Sequence, residues 1–178
     1  MSDTDATARF TVLAREVALP LRRYVARRVD PASVDDVVSD VFLVLWRRLS
    51  DVPAEDPLPW TYAVARGCLA NRRRSAARHL RLVDRLARSR TKSPSPGEGP
   101  GEHADVHAAL AGLRELDREI VMLWAWEGLP PKEIAAVTGL TANAVSIRLH
   151  RAKKELARRI GKTGPIGGQI PDEERRPR

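Results

Sequence analysis

The sequence predicts an all-α protein: two small helical domains joined by a flexible linker. Three observations carry this reading. Apolar residues recur at three- and four-residue spacing in several stretches, the mark of helices with one buried face, and no alternating run of useful length marks a strand. Ser89 to Gly101 reads SRTKSPSPGEGPG, with three prolines, three glycines and three serines. Such a segment cannot bury enough apolar surface to offset the entropy of ordering it. With only two phenylalanines and two tyrosines, the core must be built mainly from Leu, Val and Ala, which suits helices. The expected division is a first domain at 8–88, a linker at 89–102, a second domain at 103–160 and a Gly/Pro-rich, disordered tail at 161–178.

In the first domain a helix is predicted from about Phe10 to Arg28, ending before Asp30-Pro31, and Pro20 should kink or split it. A second helix should start at Ser33, where Ser33 and Asp36 have the spacing of a capping box, and run to about Leu49. Val34, Val37, Val38, Val41, Phe42, Leu45 and Leu49 fall on one face of it. Asp36, Asp40, Leu43 and Arg47 fall on the opposite face, and an exposed leucine framed by acids suits docking of a basic partner helix. A loop rich in proline and acid (SDVPAEDPLP) follows, and a third helix should run from Trp60 to about Arg88.

In the second domain helices are predicted at 106–113 and 118–126, the latter capped by Asp117 and ended by Gly128. Residues 131–156, PKEIAAVTGLTANAVSIRLHRAKKEL, then have the form of a helix-turn-helix. Small Ala135 permits a close crossing, and Gly139 can adopt the left-handed conformation that ends the first helix. Thr141 is placed to cap the second helix, and Val145 to fill the angle between the two. Val145, Leu149, Ala152 and Leu156 make its buried stripe, while Asn143, His150, Arg151 and Lys154 face outward. The second helix of such a unit usually enters the DNA major groove.

Charge supports a polyanionic partner. Lys and Arg outnumber Asp and Glu by 31 to 23, giving a pI near 10.5. The excess is concentrated: residues 60–92 hold nine arginines and one lysine against one acid, Asp84, whereas residues 30–57 hold seven acids against two arginines. Trp60, Tyr62, Asn71 and the run Arg72-Arg73-Arg74 share the basic helix. Arginines neutralise phosphates and aromatics stack on unpaired bases, so the combination fits single-stranded DNA. Tyr62 reads better as a core residue, and Trp60, at the mouth of the helix after a loop, fits the core and a base-stacking role equally well.

Other chemistries are poorly supported. A single cysteine, Cys68, excludes an internal disulfide framework and a cysteine-built zinc site. Asp35, Asp36 and Asp40 have no histidine beside them, and neighbouring helical positions point Asp35 away from Asp36, against a metal nuclease. Glu102, His103 and His107 lack a further ligand and read as surface residues. No metal, cofactor or catalytic activity is expected. No apolar run reaches membrane-spanning length and the N-terminus lacks a signal-peptide core, so a cytoplasmic protein without membrane insertion is expected.

Three segments together, VDDVVSDVFLVLWRRLS (34–50), PLPWTYAVARGCLANRRRS (57–75) and EGLPPKEIAAVTGLTANAVSIRLHRAKKEL (127–156), resemble the extracytoplasmic-function (ECF) sigma factors of bacterial RNA polymerase. The resemblance spans about residues 10–160 in family order. It implies a sigma region 2 bundle and a sigma region 4 helix-turn-helix, without the intervening third domain. It implies that Asp36, Asp40, Leu43 and Arg47 dock on the β′ clamp helices of core polymerase. Trp60, Arg66, Asn71, Arg72, Arg73 and Arg74 would recognise and melt the −10 element. Thr141, Asn143, Ser146, Ile147, Arg148, His150, Arg151 and Lys154 would read the −35 element, with their domain on the β flap. Many family members are restrained by an anti-sigma factor. The chain departs from the family pattern at Gly67 (usually Asn), Asn71 (often Asp), and Ser146 and Ile147 (usually a basic residue, then serine). These departures bear on promoter sequence. The alternative, a stand-alone helix-turn-helix regulator, leaves the acidic and basic helices of the first domain without a role.

Overall fold

A computed structural model describes residues 3–86 and 104–163, which form seven α-helices. They are α1 (Asp3–Ala26), α2 (Val34–Arg47), α3 (Leu58–Leu86), α4 (Ala104–Ala111), α5 (Glu115–Ala125), α6 (Pro131–Thr138) and α7 (Ala142–Thr163). The predicted linker and most of the predicted tail lie outside the described residues.

α1, α2 and α3 pack on one another around an aliphatic centre. α1 supplies Leu13, Val17, Leu21, Tyr24 and Val25, α2 supplies Val34, Val37, Val41 and Leu45, and α3 supplies Tyr62, Ala65 and Leu69. The predicted α2 stripe therefore holds, with Val38 and Phe42 at its half-buried margins. α1 begins seven residues earlier than expected and runs unbroken through Pro20. Proline removes one helical hydrogen bond, but Val17, Leu21 and Tyr24 are fully buried on either side and hold the helix together. The expected capping box at Ser33 is absent. Asp30 instead caps a preceding 3₁₀ turn (Pro31–Ser33), accepting from Ser33 N at 3.1 Å and Ser33 Oγ at 2.7 Å. Pro31 supplies the fixed φ that starts this turn, and the Ser33 hydrogen bond holds the Asp30 carboxyl below its usual range.

The C-terminal helices gather around α7, with α4, α5 and α6 against it. α5 starts earlier than predicted, so Asp117 lies inside its first turn and does not cap it. Gly128 (φ +71°) turns the chain out of α5, and the amide of Leu129 donates to the Leu123 carbonyl at 3.1 Å to close that turn. α6 opens on Pro131 and ends at Gly139 (φ +74°), whose amide donates to the Ala135 carbonyl at 2.9 Å. Thr141 Oγ1 accepts from the amide of Ala144 at 3.2 Å, which caps α7. Val145 is fully buried in the angle between α6 and α7.

α3 also packs on α6, and one continuous cluster of buried apolar side chains runs through both halves. Nothing in the sequence pattern marked this contact.

Candidate nucleic-acid and partner interfaces

The outer face of α7 is the first candidate surface. Asn143, Ser146, Ile147, His150, Arg151 and Lys154 are all exposed on it, while Val145, Leu149 and Ala152 fix the opposite face in the core. The arrangement follows from helical periodicity: inward and outward positions alternate every three to four residues. Two of the predicted contact residues have structural duties as well. Thr141 is the cap, and Arg148 Nη1 donates to Asp117 Oδ1 at 2.7 Å, tying α7 to α5. Ser146 Oγ donates back to the Ala142 carbonyl at 3.0 Å. Ile147, 45% exposed, puts an apolar group at the centre of this polar face.

α3 carries the second surface. Its buried side (Tyr62, Ala65, Leu69) faces the core, leaving Gly67, Asn71, Arg72, Arg73 and Arg74 exposed and Arg66 half-exposed. Trp60 sits in the first turn, half-buried, with the Arg48 guanidinium 5.2 Å from its ring centroid. The start of α3 is anchored by Thr61, whose buried hydroxyl donates to the Pro57 carbonyl at 2.8 Å. Tyr62 is a core residue, as read from sequence: it stacks on Tyr24 at 4.8 Å, and burial pushes its hydroxyl up to about 12. The arginine run is partly engaged. Arg72 Nη2 donates to Ser33 Oγ at 2.9 Å and lies 3.7 Å from Asp36, Arg73 pairs with Glu115 of α5, and Arg74 donates to Asn71. These side chains are largely exposed, and such pairs are worth little in water, so phosphates can displace them.

The third surface is the outer face of α2, where Asp36, Asp40, Leu43 and Arg47 are exposed at helical spacing. Leu43 is 52% exposed, a large apolar side chain with charges on both sides. The Arg72–Asp36 approach places this face beside the arginine run of α3. Cys68 is half-buried on α3. Burial pushes its thiol up, and the Asp40 charge adds to the effect.

Among the described residues no group of three or more His, Cys, Asp or Glu is placed to hold a metal ion. His107 is exposed and 6.5 Å from the Trp126 ring, while Glu102 and His103 lie outside the described residues. No helix is long and apolar enough to cross a membrane. Sequence reasoning missed Asp117 as the partner of Arg148, and it missed Arg27, Arg28, Glu119 and Glu127, which join the two halves. Each pair is 31 to 100 residues apart in sequence, beyond the reach of any local pattern.

Comparison with known proteins agrees with this geometry. Residues 13–79 match Sigma-70 region 2 and residues 103–156 match Sigma-70, region 4. The chain is 32% identical over 145 residues to the ECF RNA polymerase sigma factor SigF of Caulobacter vibrioides, covering 79% of each protein. It is 32% identical over 146 residues to the RNA polymerase sigma factor CarQ of Myxococcus xanthus, covering 78% of this chain and 81% of that one. Among solved structures, CnrH in complex with the cytosolic domain of CnrY aligns with a TM-score of 0.60 at 27% identity, covering 87% of this chain and 89% of CnrH. The sigma factor RpoE of Bartonella quintana, solved with the anti-sigma factor NepR, shares the fold (TM-score 0.66, 20% identity, 85% and 96% covered). The outward α7 face, the basic α3 and the acidic α2 thus occur together on a chain that belongs to the ECF sigma factors, which direct RNA polymerase to promoters.

Proposed function

We propose a division of work among three helices of this sigma factor. Asp36, Asp40, Leu43 and Arg47 of α2 dock on the β′ clamp helices of core polymerase. Trp60, Arg66, Asn71 and Arg72 to Arg74 of α3 hold the −10 element, and the outward face of α7 reads the −35 element while its bundle sits on the β flap. The domains at 8–88 and 103–160 are the units that carry these tasks, joined by the linker 89–102.

The observation that carries this reading is the placement of Leu43. A large apolar side chain is left bare on α2, on the same face as Asp36, whose carboxylate lies 3.7 Å from Arg72 of α3. Docking there delivers the basic helix to the DNA that polymerase is about to open. Melting needs no catalysis by this chain: capturing unpaired bases and neutralising their phosphates offsets the cost of unpairing. Polymerase is cytoplasmic in bacteria, and so is this work. CnrH was solved with the cytosolic domain of CnrY and RpoE with the anti-sigma factor NepR, which supports an anti-sigma factor as a protein partner of this chain. A stand-alone helix-turn-helix regulator is not favoured, because it gives residues 13–79 no role.

The test is co-elution with core polymerase on size exclusion. The unmodified chain is expected to co-elute, and Leu43→Asp to elute alone with its helicity intact. Equal retention of both proteins would remove α2 from the docking surface.

A further inference from the structure

Trp60 does not stand alone at the start of α3. The chain leaves α2 at Arg48, makes one 3₁₀ turn (Leu49–Asp51) and reaches α3 through the loop that ends at Pro57. Arg48 and Asp51 meet across that turn: Arg48 Nε donates to Asp51 Oδ2 at 2.9 Å, and Nη2 lies 2.8 Å from the same oxygen. The ion pair fixes one edge of the guanidinium, whose carbon lies 5.2 Å from the Trp60 ring centroid. Two pins hold this corner. Arg9 of α1 donates from Nη2 to the Val52 carbonyl at 3.0 Å, and Leu49 and Val52 are buried. At the far end of the loop the Pro57 carbonyl accepts from the Thr61 amide at 2.9 Å as well as from its hydroxyl. Arg9 lies in the early turns of α1 that the sequence pattern did not anticipate, so those turns brace the entrance to α3.

The corner suits a flat ligand. Aromatic faces and guanidinium planes both stack on nucleobases, and every base has a face to offer. Each stacked layer takes about 3.4 Å, so a base between two planes needs them roughly 7 Å apart. Arg48 has to withdraw by about 2 Å to admit one. Its pair with Asp51 permits that movement, because the two side chains are 58% and 48% exposed and such pairs are weak in water. We propose that Arg48, steered by Asp51, is a positioning residue for promoter melting: it forms the second wall of a seat whose first wall is Trp60, and it closes over one unpaired base. This seat depends on the reading of Trp60 as a −10 contact and extends it to Arg48 and Asp51.

Asp51 decides which part of Arg48 is on offer. A carboxylate on Nε and Nη2 occupies the donors of one edge and offsets much of the charge. That edge is closed to a phosphate, and the flat face remains for stacking. Neutralising a phosphate needs no ring beside the arginine, whereas holding a base between two planes does. Stacking also grows with shared area, so this seat holds a purine more tightly than a pyrimidine.

The test uses the full chain and a single-stranded oligodeoxythymidine of about twelve nucleotides with one central 2-aminopurine, whose fluorescence falls when it stacks. The unmodified chain should bind it with quenching. Arg48→Ala should weaken binding about fivefold and reduce the quench. Arg48→Lys keeps the charge but loses the plane, and should behave like Arg48→Ala. Trp60→Ala should remove the quench, and adding Arg48→Ala to it should change little, because one wall does not make a seat. Asp51→Asn should weaken binding about twofold with the quench kept. Arg48 and Asp51 are exposed, so their variants should keep full helicity. Arg48→Lys binding like the unmodified chain overturns the seat by making Arg48 a phosphate contact. Arg48→Ala binding more tightly overturns it by making Arg48 a plug. In both cases loss of the quench in Trp60→Ala leaves the −10 reading standing. An unmodified chain that neither binds nor quenches the oligonucleotide refutes that reading and the seat together.

Discussion

Arg148 is placed to do two things at once, and a double-mutant cycle separates them. It joins α7 to the first turn of α5 through Asp117 at 2.7 Å, with the two side chains 39% and 22% exposed. Unit charges at about 4 Å attract by roughly 4 kcal/mol at an effective dielectric of 20. Solvent at a half-exposed pair and the ordering of two side chains reduce this to about 1 kcal/mol. Urea unfolding of the parent, Asp117→Ala, Arg148→Ala and the double variant should therefore give a coupling energy near ~1 kcal/mol. The remaining guanidinium donors of Arg148 stay available to a phosphate. Arg148→Ala should then lower the log–log salt slope of −35 duplex binding by about 0.9, while Asp117→Ala leaves the slope intact and weakens binding about threefold through a looser Arg148. A coupling under about 0.3 kcal/mol, or an equal change of slope in both single variants, would refute the reasoning that Asp117 positions a DNA-contacting arginine.

A Cβ added at Gly67 meets nothing within 4 Å, and the residue lies exposed in mid-helix. Gly67→Ala should therefore stabilise the protein by about 0.5–1 kcal/mol in urea unfolding, and a loss of stability would contradict this placement of α3. The bare Ile147 side chain matches the one apolar group in the major groove, the thymine methyl. Replacing the contacted thymine by deoxyuridine should weaken −35 binding about fourfold, from ~0.8 kcal/mol per methyl, and Ile147→Ala should abolish the difference. A difference that persists in Ile147→Ala assigns the methyl to another residue. On α7, hydrogen bonds from Arg158 and then Arg159 hold the Glu155 carboxyl down at about 2, from an ordinary 4.5. Because the folded value is depressed, its contribution is complete above pH 4.5 and is lost as pH falls toward 2. An NMR titration of Glu155 should place its midpoint in that window; a midpoint at the ordinary value would contradict the pairing.

Local chemistry was readable from the chain, and long-range chemistry was not. The α2 stripe, the α7 cap at Thr141, the left-handed Gly139 and the buried Val145 all follow from spacing within one or two turns, and the structure keeps each of them. The resemblance then supplied the order of the surfaces. Errors came where two local signals competed. Ser33 looked like a cap, but Asp30, one residue before a proline, captured both its amide and its hydroxyl. Asp117 looked like a cap, but an arginine 31 residues away claimed its carboxylate. Pro20 looked like a break, but tertiary packing on both sides overrode one missing hydrogen bond. The Tyr24–Arg28–Glu119 cluster had no periodic signal, because its members meet only after both halves have folded.

The central claim is that this chain gives polymerase its choice of promoter. Core polymerase supplied with the chain and a library of promoter fragments, followed by mapping of transcript 5′ ends, tests it most directly. The account predicts new transcripts whose start sites share one pair of upstream elements at fixed spacing, and their loss with Leu43→Asp. The same start sites with and without the chain would contradict it.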